Sequence, residues 1–228
     1  MRLRQKQNLT LLIYLTLSIL FSGCLTTKKM DIFVSGQYND QLPKLNKNKT
    51  PDIIITSTVS SGSTNISNTV QKTSKVLPLI VYWQFNFRRI CTLNPAIAIN
   101  SFSNYINAMA NKGLSKKLNG KRLQLSIEQV PAAFAFVDKS HLIWLIYGFH
   151  WDKIYIEPDF KDLVVSYQLL ENENTVKSGK ISIKGNAQNQ DLRYFQSWKS
   201  AISEYLTDYN AGITNMSKAF VSKLMEEL

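Results

Sequence analysis

The side chains that could do chemistry in this chain are few, and their spacing limits what they can do. There are two histidines, His141 and His150, and two cysteines, Cys24 and Cys91. The histidines bracket Leu-Ile-Trp-Leu-Ile-Tyr-Gly-Phe. Their odd offset places them on opposite faces of a regular strand, which argues against one shared metal or acid–base site. Cys91 with a histidine would give a nucleophile and its base. Nothing nearby supports that pair, and Ile90 and Leu93 around Cys91 point to a buried structural thiol. Asp152, Glu157, Asp159 and Asp162 form the one dense carboxylate group. Two such residues flanking a sugar bond are the machinery of a glycoside hydrolase, and Trp151 and Tyr155 could stack on a glycan. The group surrounds Pro158 between two strand candidates, however, where a solvated loop accounts for it. No Gly-x-Ser-x-Gly elbow, phosphate loop or His-Glu-x-x-His is present. The expectation is a chain with no catalytic residue, no metal ligand and no cofactor site.

That leaves Cys24, whose surroundings are more specific. Arg2, Arg4 and Lys6 precede an apolar run from Leu9 to Phe21, and Ser22-Gly23 follows it. A basic start, a short apolar run and small residues make a secretory signal, and the run falls short of the ~18–20 residues that span a bilayer. Leu20-Phe21-Ser22-Gly23-Cys24 resembles the lipobox of bacterial lipoprotein precursors, with Phe21 where that motif usually has Leu. The resemblance implies cleavage before Cys24 and acylation of its thiol by palmitate-type chains. A plain signal peptide with Cys24 incidental, and an uncleaved anchor, are the alternatives. Each buried CH₂ contributes about 0.8 kcal/mol, so two or more acyl chains anchor stably where one does not. Leu25 stands where an Asp would signal inner-membrane retention, so the resemblance implies an outer-membrane, periplasm-facing address in the cell envelope.

The composition suits one folded domain with a sizeable core: 228 residues, 44% hydrophobic and 11% aromatic. The formal net charge is +11. A basic envelope protein can lean on anionic lipid or cell-wall polymer, although solvated surface lysines give the same balance. Export excludes nucleic acid as a partner. With Cys24 acylated, Cys91 has no disulfide partner.

Three segments are expected: a signal peptide over 1–23, a polar tether over 24–75 and a single α+β domain over 76–228. The tether reading rests on the Ser, Thr, Asn and Lys content of Leu25–Lys75. It is interrupted by two β-like pieces, Asp31–Gly36 and Asp52–Thr56, either of which could add an edge strand. Leu79–Ile90 reads as a strand with Arg88-Arg89 at its exposed end, broken at Asn94-Pro95. A helix follows, capped by Asn100 or Ser101, with Phe102, Tyr105, Ile106 and Met109 on one side and a stop at Gly113. Asn119-Gly120 is a tight turn. Leu123, Leu125 and Ile127 alternate with polar residues up to Pro131, and Phe134 and Phe136 continue an extended segment. Leu142–Trp151, almost unbroken apolar, reads as a central strand covered on both faces, extended by Ile154 and Ile156 as far as Pro158. Leu163–Leu169 and Val176–Ile183 flank a turn at Glu171–Thr175 and form a hairpin. Apolar residues from Tyr194 to Leu224, three or four apart, predict one long amphipathic helix of about 35 residues, which Gly212 could bend or split.

Hairpin-connected strands with helices to one side make an α+β fold: a mostly antiparallel sheet with helices packed on one face and a long C-terminal helix. This layout is similar to that of small periplasmic lipoproteins of the YajG and penicillin-binding-protein-activator kind, and no functional residue transfers from the likeness. The functional expectation is a membrane-anchored, non-enzymatic binding or accessory module of the cell envelope. Its partner would be an envelope protein or an anionic lipid or cell-wall surface. The alternative is a cell-wall hydrolase working through the Asp152–Asp162 carboxylates.

Overall fold

The computed structural model describes residues 26–40, 44, 52–60, 65–67, 73–77, 81–144, 148–159, 161–185 and 188–228. The lipobox, Leu20–Cys24, lies outside the described residues. Helix α1 spans Thr27–Asp40, followed by strands β1 (Ile53–Ser57), β2 (Asn65–Ser67), β3 (Thr73–Leu77) and β4 (Val81–Thr92). Helix α2 (Ala96–Met109) runs on into Ala110–Leu114 and kinks at Gly113, whose backbone is not helical, where the sequence predicts a stop; the single turn of α3 (Ser115–Leu118) follows. Then come β5 (Arg122–Gln129), β6 (Ala133–Trp144), β7 (Gly148–Pro158), β8 (Leu163–Glu171), β9 (Asn174–Ile183), β10 (Gln190–Asp191) and helix α4 (Trp198–Glu227). The fold is α+β, with a long C-terminal helix, as the periodicities predict.

The strands form two sheets rather than one. The first has the order β1-β5-β8-β9, antiparallel except for the parallel pair β1–β5. The second has the order β10-β7-β6-β4-β2, with β3 also paired to β4, and is antiparallel throughout. Among the places where the chain passes from one sheet to the other are two direct crossings, β5 to β6 at Pro131 and β7 to β8. Both crossings are pinned at one place. The Asp159 carboxylate accepts from the backbone N–H groups of Ala132 (3.1 Å) and Lys161 (3.2 Å), and the Tyr209 hydroxyl donates to the Pro131 carbonyl at 2.6 Å.

A single core joins the two sheets to the helices. Leu123, Leu125 and Ile127 from β5, Leu163, Val165 and Tyr167 from β8, and Ile181 and Ile183 from β9 are all buried, as alternation requires. They face α2 and α4, where Phe102 meets Phe220 edge to face at 5.1 Å. At its base the second sheet adds Cys91, Phe134, Phe136 and Ile156 to the same cluster, with Phe134 against Tyr205 at 4.8 Å. The β8–β9 turn places Asn172 and Glu173 at φ 47° and 68°, the left-handed pair a two-residue hairpin loop needs. Across that hairpin Gly179 sits under the Tyr167 ring, where a Cβ would fall 2.7 Å from a ring carbon, so only glycine fits without displacing the ring.

Several boundaries differ from the sequence reading for identifiable reasons. Asp31–Gly36 is helical, not extended: Met30 and Val34, four apart, are fully buried, and Phe33 packs edge-on to Trp198 at 5.2 Å. That helix and the buried Ile53 of β1 belong to the body, so the stretch 24–75 is not a tether throughout. The Asp52–Thr56 piece does form an edge strand, shifted by one residue. Helix α2 starts at Ala96 rather than at Asn100 or Ser101, because the Asn94 side chain accepts from the Ala96 N–H at 3.0 Å. The last helix starts at Trp198, with the Ser197 hydroxyl accepting from the Ser200 N–H at 3.2 Å. Tyr194 is outside it and exposed, and the 30-residue helix runs through Gly212 without a break. Arg88 and Arg89 lie within β4 rather than at its end; Arg88 pairs bidentately with Glu157 at 3.1 and 3.2 Å.

Candidate functional site

The largest departure falls on Leu142–Trp151. It is not a covered central strand but the end of a hairpin: β6 stops at Trp144, β7 starts at Gly148, and their rungs pair Trp144 with Gly148 and His141 with Trp151. Strand β4 lies alongside, with Val81 opposite Trp144, and β3 pairs with β4 from Leu77 at the same end. Two hairpins therefore finish side by side. Their sequences, Val76–Trp83 and Leu142–Phe149, carry no charged residue at all.

This end is apolar on both faces. Alternation puts Trp83, Leu142 and Trp144 on the face that continues the core, and Tyr82, Ile143, Phe149 and Trp151 on the other. Trp83 is 41% exposed, Trp144 57%, Phe149 59% and Trp151 45%. Single exposed hydrophobics need no explanation, but a contiguous group does. On the outer face His141 stacks flat on Trp151, with centroids at 5.0 Å and a 2° interplanar angle, and its Nδ1 lies 2.7 Å from the Tyr82 hydroxyl. The stack holds three strands' side chains in one row.

Polar groups begin on the core-side face at the Leu142 rung, where His150 stands opposite Leu142. On the core-side face His150 Nε2 lies 2.8 Å from the Ser140 hydroxyl and 3.0 Å from Asp152. On the outer face the Lys139 and Lys153 ammonium groups sit 5.3 and 5.8 Å from the Tyr155 ring centroid. Asp138, half-buried, has its pKa raised, first by desolvation and then by Asp152, against the opposing pull of Arg89 and His150. A raised folded-state pKa means the folded chain binds this proton more tightly than the unfolded one, so the associated stability is present at low pH and lost as pH rises. Asp138→Asn should therefore raise the urea midpoint at pH 7. That advantage should shrink toward zero as pH falls through the range where unfolded carboxylates titrate, about pH 4. An equal gain at both pH values would show that charge burial is not the cause.

The residues singled out for chemistry are scattered. His141 and His150 are close in the hairpin but on opposite faces, and no group of three His, Cys, Asp or Glu side chains suited to a metal exists among the described residues. Cys91 is buried, as expected, and burial, with a smaller push from Asp31, raises its thiol to about 12, so it holds almost no nucleophilic thiolate. The carboxylates are divided: Asp152 beside His150, Glu157 on the opposite face with Arg88, Asp159 on backbone N–H groups, and Asp162 accepting from the Ser182 hydroxyl at 2.6 Å. Glu157 and Asp159 line one shallow cavity with Arg88 and Lys161, and there each is engaged, Glu157 by Arg88 and Asp159 by backbone N–H groups. A cavity of about 560 Å³ opens between the middle of α4 and the segment leading to β10, walled by Asp159, Tyr205, Asp208, Tyr209 and Met216. Its Asp159 is the crossover pin rather than a free acid.

The aromatic end lies in a run whose composition alone reads as one strand. The signal was there: both uncharged runs carry a breaker, Pro78 in one and Gly148 in the other, and a breaker inside an apolar run marks a turn. No family model matches the chain, and no curated protein or solved structure is significantly similar to it.

Proposed function

We propose that this chain is a membrane-anchored lipoprotein of the bacterial cell envelope that acts by binding rather than by catalysis. The observation that carries this reading is the contrast between its surfaces. Every acid, histidine and cysteine singled out for chemistry within the described residues is held in a structural bond or buried. Among the described residues, no element covers the exposed aromatic end. No described helix is long and apolar enough to cross a membrane. Anchoring rests on the lipobox resemblance at Cys24, which supports an outer-membrane, periplasm-facing site. The helix α1 begins at Thr27, so an acylated Cys24 would hold the body close to the bilayer rather than at the end of a long tether.

Mass spectrometry of the protein purified from membranes tests this. The mature chain should begin at Cys24 and carry acyl chains, and Cys24→Ala should accumulate as the full-length precursor. An unmodified chain starting at another residue would remove the anchor.

A further inference from the structure

We infer that the aromatic end of the β3–β4 and β6–β7 hairpins is a bilayer-docking surface, seated in the interfacial zone of one lipid leaflet. The first argument is shape. A protein partner covers one face, whereas this end is apolar on both faces: Trp83, Leu142 and Trp144 on one, Tyr82, Ile143, Phe149 and Trp151 on the other. Both connecting sequences are uncharged as well. Apart from His150 on the Leu142 rung, the zone is apolar on both faces, which fits seating among headgroups and upper acyl chains better than cover by a partner on one face.

The second argument is depth. From the Trp144 rung to the His141–Trp151 rung is three residues, about 10 Å at 3.2–3.4 Å per residue, and Lys139 and Lys153 lie two rungs beyond. Surface-lying amphipathic segments bury about 5–10 Å into the headgroup and acyl boundary. The hydrocarbon core is about 30 Å thick, so the end cannot span it. Tryptophan and tyrosine at the boundary with lysines behind them is the order of residues favoured at a membrane interface.

The third argument limits how far the arm goes. Among the described residues β10 pairs with β7 only at Tyr155 and Ile156, so the outer edge of β7 from Gly148 to Lys153 has no neighbouring strand. Unpaired backbone groups are not tolerated in hydrocarbon. The edge must stay among headgroups and water, which fixes docking at the interface. The inference rests on the anchored-module reading only for the closeness of a membrane.

The sequence supplies its own probes: of the four tryptophans, Trp83, Trp144 and Trp151 are on the arm and Trp198 is on α4. The full chain carrying Cys24→Ala, which has no site for acylation, is mixed with phosphatidylcholine–phosphatidylglycerol vesicles brominated either near the headgroup or deep in the acyl chain. With Trp198→Phe added, emission should be quenched, more by the shallow bromines than by the deep ones. With Trp83, Trp144 and Trp151 changed to Phe, the remaining Trp198 should be unaffected. Trp144→Lys with Phe149→Lys, both at exposed positions, should raise the lipid concentration needed for quenching by about tenfold or more. The residues before Cys24 contain no tryptophan, so vesicle binding through that apolar segment cannot imitate the signal. Arm emission indifferent to bromine while the chain sediments with the vesicles would overturn the inference. So would a blue shift that appears without lipid and grows with protein concentration, which would mean a second copy covers the end. Because this chain lacks Cys24, neither outcome bears on whether Cys24 is acylated.

Discussion

Phe220→Ala should destabilise the protein by about 3–5 kcal/mol, the range for removing a fully buried aromatic side chain. Phe220 has no exposed surface, and its ring meets Phe102 of α2 edge to face at 5.1 Å, where α2 and α4 lie together on the first sheet. Domain stabilities are about 5–15 kcal/mol in total, so this one change would remove a large share. The urea midpoint followed by far-UV circular dichroism should fall accordingly, with the slope unchanged. Phe102→Ala should have a loss of similar size. The double variant should lose less than the sum, by about 0.5–1.5 kcal/mol, because the ring pair is then removed only once. Strict additivity would mean that the two rings do not meet in solution.

That contact was legible from the sequence in outline, because Phe102 and Phe220 both stand in apolar patterns of helical period. The same holds for β5, where each inward position alternates with a polar one, and in outline for β8 and β9, although Val164 and Leu170 of β8 face outward. Strict alternation is a strong signal because a strand with one buried face has one way to place it. What the pattern could not supply was the partition into two sheets. One switch happens over Val130-Pro131-Ala132, where Pro131 marks the end of a strand but not a change of sheet, and it is stabilised by Asp159 and Tyr209, which are distant in sequence.

The aromatic end is legible only through its breakers, Pro78 and Gly148, and not through periodicity. A buried strand and the tip of an apolar hairpin have the same composition, and periodicity cannot separate them over ten residues. An almost unbroken apolar run of that length reads as a strand covered on both faces. The pairing of Trp144 with Gly148 decides the matter. The histidine argument survived the change of geometry by parity. Moved from one strand to two, His141 and His150 still face opposite ways, since His150 pairs with Leu142 and not with His141.

Val34→Asp should be among the most damaging substitutions in the chain, although it falls in a stretch whose composition reads as a tether. Were 24–75 a tether, a new carboxylate there would change stability by no more than about 0.5 kcal/mol, the usual range for surface substitutions. In the fold, Val34 is fully buried beside Met30. The change removes about 1.5–3 kcal/mol of apolar burial and adds the penalty for a carboxyl group without a partner. The expected result is loss of at least about 3 kcal/mol, or undocking of α1 from a body that otherwise remains folded. The two are separable, because Phe33 of α1 packs on Trp198 at 5.2 Å. Undocking alone would shift Trp198 emission to the red, read in a chain whose arm tryptophans are replaced by Phe, and leave the urea transition of the remaining core in place. Val34→Ala, which adds no charge, should cost about 1–3 kcal/mol and keep α1 docked. The composition misleads here because a short helix needs only a few buried residues to be held. Met30 and Val34 supply them, while Lys28, Lys29 and the polar residues around them remain on the outside.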